Sequence, residues 1–414
     1  MTQLTQTTVI GAGIVGLCTA LYLQKRGVEV TLIDRQPPGE GTSSGNAGII
    51  SVGSVHPEAM PGIWKEIPHM VLQRLAPVSL RPAYLPRFLP WLTRFLANSS
   101  QAKAEAASIA IHALSSRAMD YLQPLVSKAG ANDLLRQEGS LYVYETPAQF
   151  AKAKRDCAYF ARRGVDYRIV GSVELAQMEP NLRPGLAGGV LTAKAGHTVS
   201  PLALSRALFG LFLRQGGQFI QGEVNGFLTD GNRVTGVRTD FDLACDQVFI
   251  TAGSWSRLLA RQLGSRVLLD TERGYHLQLP NPGIELKRPL LFAGRAFAAT
   301  SMQGGLRLAG TVEFAGLKAP PNYARAHVLA RQAAALFPGL NTENGEAWMG
   351  YRPSLPDSVP VISGSPHFKN VFYGFGHGHL GLTQAAVTGA TLAAMAAGDE
   401  TPVDVTPYRI DRVM

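Results

Sequence analysis

A complete G-x-G-x-x-G, Gly11-Ala12-Gly13-Ile14-Val15-Gly16, lies between a short apolar run at 7–10 and a helical pattern at 11–26. With a second apolar run at 28–33 that ends on Asp34, the order predicts a β-α-β unit at the start of the chain. In such a unit Gly11 serves the tight turn, Gly13 the approach of a pyrophosphate to the backbone, and Gly16 the close packing of helix on strand. The helix start at Ile14 and Val15 then aims free N–H groups at phosphates. Asp34 falls 23 positions after Gly11, where a carboxylate accepts ribose hydroxyls, and Arg35 stands beside it. The acid excludes a 2′-phosphate, which leaves FAD or NAD.

The chain has 414 residues, 46% hydrophobic and only 17% charged, so it is globular and long enough for two domains. Its three cysteines, Cys18, Cys157 and Cys245, show no C-x-x-C spacing, which points away from a disulfide framework or zinc site and toward a reducing compartment. No metal cluster is expected. The polar start at 1–6 lacks a basic leader, and no run of about 18 apolar residues suggests a membrane-spanning helix. A formal charge of +9 leaves nucleic acid, an anionic membrane or ordinary solvated surface as its meaning.

Beyond the first unit, prolines at 57, 61, 68, 77, 82, 86 and 90 predict short helices and loops, and 101–129 is Ala-rich with helical spacing. Strands are expected at 139–146, 188–193, 218–223, 234–238 and 247–252, with helices at 147–163 and 201–215. From 275 to 309 the pattern suggests a mostly antiparallel sheet, and a strand at 371–373 leads through a glycine-rich turn into a helix at 383–397.

Thr42-Ser43-Ser44-Gly45-Asn46-Ala47-Gly48, with Ile49 after it, offers small hydroxyl and amide groups suited to lining an extended cofactor, which favours FAD. At this point the chain resembles the FAD-dependent D-amino-acid oxidase and dehydrogenase superfamily, and within it the bacterial D-amino-acid dehydrogenases. The resembling segments are 9–34, 41–53, 90–98, 246–254, 350–357 and 374–383, nearly end to end. The resemblance implies an α/β fold of the glutathione-reductase type: a Rossmann-like FAD-binding domain from 1–56, 200–266 and 341–414, and a mixed-sheet α+β substrate domain from 57–199 and 267–340. It also implies that Val224 meets the adenine, that Ala252, Gly253 and Trp255 pass beneath the nucleotide, and that Gly376, His377, Gly378, His379, Leu380, Gly381, Leu382 and Thr383 form a turn and helix start facing the flavin N1 and C2 oxygen. A helix N-terminus there would stabilise negative charge on the reduced ring.

An enzyme of this kind must hold a carboxylate while presenting the Cα hydrogen to flavin N5, so that a hydride leaves directly and no acid-base pair is required. Arginine's planar fork suits the carboxylate, and the resemblance places Arg352 in that role. Tyr275 and His276 are strand neighbours pointing to opposite sides, so one of the two, with Tyr275 preferred, is expected to face the pocket. His379 stands where the family commonly has a smaller residue and projects to substrate or caps the turn; His197 is an alternative pocket histidine.

Phe88, Trp91, Leu92, Phe95 and Leu96 make one apolar helix face. The surrounding 60–98 segment carries Lys65, Arg74, Arg81, Arg87 and Arg94 against one acid, Glu66, and two of the four tryptophans, Trp64 and Trp91. With the implied dehydrogenase, this suggests a cytoplasmic protein peripheral on the inner face of the cell membrane that passes electrons to a quinone or other respiratory acceptor. The expected reaction is oxidative deamination of a D-amino acid, including cyclic ones such as D-proline or 4-hydroxy-D-proline. The alternatives are a glycine/sarcosine-type amine oxidase using oxygen and, from another class, an FAD-containing RNA-modifying or nucleic-acid-binding protein. For the last, the basic run Lys152, Lys154, Arg155, Arg162, Arg163 is the candidate surface, and Asp156 dilutes it.

Overall fold

The computed structural model describes residues 6–67, 75 and 77–413, the side chain of Glu66 excepted. The polar start at 1–5 and Arg74 of the basic segment lie outside the described residues. Strand Gln6–Ile10, helix Ile14–Gln24 and strand Glu29–Asp34 form the expected β-α-β unit. Its strands sit at the centre of a six-stranded sheet, flanked by Gln218–Gln221 on one side and by Gln247–Ile250, Val371–Phe375 and Val361–Gly364 on the other. All pairs in it are parallel except the last, an antiparallel edge.

One face of this sheet is covered by helices Ile14–Gln24 and Gly381–Ala397, which approach so closely that a Cβ on Gly389 would meet the Cys18 and Thr19 backbone at 2.7 Å. The segment 378–397 is long and apolar enough to cross a membrane by length and composition, but 78% of its most apolar 18-residue window is buried here as the core helix of the sheet. The helix expected at 383–397 is this one, and the polar Thr383, Gln384, Thr388 and Thr391 that interrupt its apolar run are all buried. The antiparallel meander 226–244 packs on the sheet through Val234 and Val237, which share a core cluster with Ile10, Ile33, Val248 and Ile250.

A nine-stranded sheet forms the second layer. Its strands Glu346–Ser354, Asp270–Leu279, Gly305–Phe314 and Phe297–Met302 are successively antiparallel, as expected for this stretch, while Leu290–Phe292 joins parallel to Ser140–Tyr144. The 101–129 segment is two helices, Gln101–Ser115 and Ala118–Ala129, separated at Ser116 and Arg117. The cysteines are unpaired and buried.

Helix Leu85–Asn98 corrects the expectation about its apolar face. Phe88, Trp91 and Leu92 pack with Leu80 and Phe314 in a core cluster, with Phe95 and Leu96 against it, and Trp91 Nε1 donates to Ser354 O at 3.3 Å. The stripe is spent on the strands of Leu80 and Phe314 in the second sheet, with Trp91 reaching the end of the Arg352 strand, since periodicity marks a face as apolar without saying what covers it. Exposed in the 60–98 segment are Trp64, Leu75, Leu85 and Leu89, with Lys65 and Arg87 exposed close to Trp64 and Leu85 in sequence. In the other basic run, Arg162 and Arg163 both pair with Glu105, and Lys154 sits over Phe150.

Candidate active site

A cavity of about 690 Å³ runs from Asp34 and Val224, past Gly11–Gly13 and the 42–47 loop, to Arg352 and the 377–383 turn. At the first end Asp34 Oδ2 accepts from Ala12 N at 2.7 Å and Oδ1 from Gln36 N at 2.9 Å, which fixes the glycine turn and leaves further lone pairs for hydroxyls. Arg35 stacks over Trp255 at 4.0 Å and faces Glu223. The glycine-capped start of helix Ile14–Gln24 carries no cap side chain at its first turn, and Ser43 Oγ accepts from Ile14 N at 3.0 Å. The start of helix Gly381–Ala397 opens on the far part of the same cavity, again without a side-chain cap. Two helix N-termini whose N-cap residues supply no side chain of their own, an acid at one end and a long cleft between them fit an extended dinucleotide such as FAD.

Of the residues expected at the cofactor, Gly11, Gly13, Ile14, Val15, Asp34, Arg35, Thr42, Ser43, Asn46, Ala47, Ile49, Val224, Ala252, Gly253, Trp255, His377, Gly378, His379, Leu380, Gly381, Leu382 and Thr383 line the cavity. Gly16, Ser44, Gly48 and Gly376 do not. Gly16 packs against the Gly11 carbonyl, Ser44 Oγ closes its own turn on Gly41 O, Gly48 abuts Thr198 O, and Gly376 lies against Leu355. The 42–48 loop is braced from outside by Arg307, whose Nη1 donates to Ser44 O and Asn46 O, and whose pKa burial lowers to about 10.

The substrate end is built on two paired strands. Gly274 and Gly350 are directly opposite in register, leaving a bare patch in the cavity wall. Arg352 folds over it from one side, its Cζ 2.4 Å from where a Gly274 Cβ would stand, and Trp348 from the other, 2.1 Å from the corresponding Gly350 position. Thr42 Oγ1 donates to Tyr351 O and accepts from Tyr351 N, tying the cofactor loop to the Arg352 strand. Among the described residues Arg352 makes no hydrogen bond; burial lowers its pKa, while Glu272 and Glu58 hold its charge.

Tyr275 is corrected as a substrate group. It borders the cavity, but its hydroxyl donates to Glu313 Oε2 at 2.6 Å and accepts from Asn322 N at 3.0 Å. Glu313 also takes Arg81 Nε at 2.8 Å and faces Arg273, so the tyrosine belongs to a buried charge cluster that burial and this acid make hard to ionise, with its pKa at about 12. His276 does not line the cavity. It stacks on Trp348 at 4.9 Å with Nδ1 3.0 Å from Gly45 O, and burial lowers its pKa to about 3. It supports the loop as a neutral ring. His197 pairs behind the loop on a strand with Ile49, away from the cavity, with burial lowering its pKa to about 4.

Sequence reasoning missed Trp348, Arg307 and the acids Glu58 and Glu272. Glu272 is the cross-strand partner of Arg352 and hydrogen-bonds Ser354 and Glu58. Glu58 comes from the proline-rich segment, 214 positions away, and no local pattern marks it.

The sequence model of the family described as FAD dependent oxidoreductase matches residues 6–395. A D-amino-acid oxidase from Bradyrhizobium diazoefficiens is 33% identical over 98% of both chains, and a D-amino acid dehydrogenase from Vibrio cholerae is 30% identical over 96% of both. Glycine oxidase from Geobacillus kaustophilus superimposes with a TM-score of 0.73 at 20% identity, covering 99% of this chain and 100% of that one, which is a likeness of fold.

Proposed function

This chain belongs to the FAD-dependent oxidoreductase family, and from that membership we propose that it oxidises a D-amino acid with an uncharged side chain to the imino acid, which for a primary amine hydrolyses to a 2-oxo acid and ammonia and for a ring amine stays a cyclic imine. The observation that carries this reading is Arg352: a cavity-lining guanidinium without a hydrogen-bond partner among the described residues, over a patch kept bare by two glycines. A half-buried cation in that state favours an incoming carboxylate, and its fork fixes the carboxylate's plane. When bound, FAD supplies the two-electron acceptor for the Cα–H bond. The protein's part is to orient that bond and exclude water.

Around Arg352 the cavity continues over Tyr142, Leu291, Phe297, Ala298 and Ala309. Its charged side chains other than Arg352, namely Asp34, Arg35 and Glu223, stand at the opposite end. An acidic or basic substrate side chain would be desolvated here without a partner, which costs about 1–3 kcal/mol or more. Small and cyclic amino acids with neutral side chains, D-proline and 4-hydroxy-D-proline among them, suit the space. Anaerobic mixing of the holoenzyme with a panel of D- and L-amino acids, followed by bleaching near the flavin band at about 450 nm, is expected to show D-isomers with neutral side chains reacting at least about 10-fold faster than D-glutamate or D-lysine. Preference for L-isomers or for charged side chains would refute the reading.

For the acceptor we propose a quinone, reached at the membrane on the cytoplasmic side. What supports this is the exposed Trp64, Leu85 and Leu89 close in sequence to Lys65 and Arg87, a combination suited to an anionic interface. The protein should float with vesicles containing phosphatidylglycerol and not with purely zwitterionic ones, and Trp64→Ser with Leu89→Ser should abolish flotation. Equal recovery of both forms would rule the contact out, and hydrogen peroxide formed in stoichiometric amount would replace the quinone with oxygen, as in an amine oxidase.

A further inference from the structure

His379 lines the cavity wall with a side chain 51% exposed, and its Nδ1 lies 3.0 Å from Glu58 Oε1. The two ring nitrogens face apart, so a ring held by Glu58 at Nδ1 turns Nε2 away from that acid. Glu58 is itself held. Its N–H donates to Ser358 Oγ at 2.9 Å, and its carboxyl hydrogen-bonds that of Glu272, whose Oε1 has no partner among the described residues. Two carboxyls bond to each other only through a proton. Burial and the charge of Glu58 push Glu272 well above the usual carboxylate range, so the proton stays there. For Glu58 burial acts upward, but the bonds to His379 and Glu272 and the charge of Arg352 outweigh it and keep the group ionised.

A free amino acid near neutral pH is a zwitterion, and its ammonium nitrogen has no lone pair with which to form a C=N bond. One proton must leave before the Cα–H bond can break. Resting on the reading of this cavity as an amino-acid site, we propose that His379 Nε2 accepts that proton, with Glu58 and Glu272 as positioning residues behind it. In this step the substrate N–H bond breaks with its electron pair left on nitrogen, and a new N–H bond forms on Nε2. The positive charge passes from ammonium to imidazolium, where Glu58 compensates it, and no oxidant is involved. The arrangement is that of a base oriented by a carboxylate.

Other titratable groups around the dyad do not compete for the proton. His377 is buried, its Nε2 is 2.9 Å from Thr388 Oγ1, and burial lowers its pKa to about 3. His56 lines the small cavity behind Glu58 and is lowered by burial, and Arg352 and Glu272 already hold theirs.

The test is the pH profile of flavin bleaching in the holoenzyme with the best D-amino acid of the panel. His379→Gln and His379→Asn should be slower by about 100-fold at pH 7, and the deficit should close as pH rises through the substrate amine's own pKa. Glu58→Gln should lose about 10-fold and converge in the same way. Independently of turnover, ¹⁵N-labelled 2-aminoisobutyrate, which has no Cα hydrogen, should bind as the free amine in the wild type and as the ammonium in His379→Gln, read from its ¹⁵N shift. A deficit that is the same factor at every pH, no deficit, or an ammonium in the wild-type complex overturns the assignment. A wild-type flavin that no amino acid bleaches would instead overturn the amino-acid reading beneath it.

Discussion

Arg352→Ala is expected to lower kcat/KM for a D-amino acid by about 10³-fold, the equivalent of about 4 kcal/mol for truncating one member of a desolvated charge pair. The binding constant for a simple carboxylate such as propionate, read from perturbation of the flavin spectrum, should weaken in parallel. FAD content should stay unchanged, because Arg352 stands at the end of the cavity away from Asp34 and the glycine turn. Arg352→Lys keeps the charge that faces Glu58 and Glu272 but loses the fork, and should recover only part of the loss. Gly274→Ala separates position from identity. Its methyl would lie 2.4 Å from the Arg352 Cζ, and since the obstructed atoms are the end of a flexible side chain, the guanidinium should swing aside at little cost in stability. About a 10-fold or larger loss of kcat/KM from that displacement alone, with thermal stability near wild type, is the expected result. Unchanged kinetics in Gly274→Ala together with unchanged propionate binding in Arg352→Ala would show that the carboxylate is held elsewhere.

Arg352 was legible because a local motif carried it; its neighbours were not. Tyr275 and His276 illustrate the limit. Alternation along a strand says that they point to opposite sides, but which side is pocket depends on the strand next door. There Glu313, held by half-buried Arg81 and buried Arg273, and the 316–322 loop draw the tyrosine hydroxyl into the protein. The histidine, on the same side as Arg352, is used up by Trp348 and Gly45. The Glu58–Glu272 pair is a tertiary contact between a proline-rich loop and a strand, which neither periodicity nor composition reports. The Phe88 face failed for a related reason: its cover, Phe314, lies more than 200 positions on.

The nucleotide motif was legible because its physics is local, and its two inner glycines should separate by experiment. Gly16→Ala would place a methyl 1.8 Å from the Gly11 carbonyl oxygen and 2.8 Å from Thr251 Oγ1, which itself donates to Ile10 O and Gly11 O. The obstruction is backbone between helix Ile14–Gln24 and its strand, so helix or turn must move where both are buried. A cost of at least about 3 kcal/mol is expected, seen as a melting temperature lower by about 5 °C or more and as protein purified largely without FAD. Gly13→Ala differs in what the methyl meets: Ser43 Oγ at 3.3 Å, and otherwise the open cavity. That variant should fold with the melting temperature of wild-type apoprotein yet bind FAD about 10-fold or more weakly, because the methyl occupies the space through which a pyrophosphate approaches the backbone. If the two variants lost stability and cofactor in the same proportion, the division between a packing glycine and a phosphate glycine would not hold for this chain.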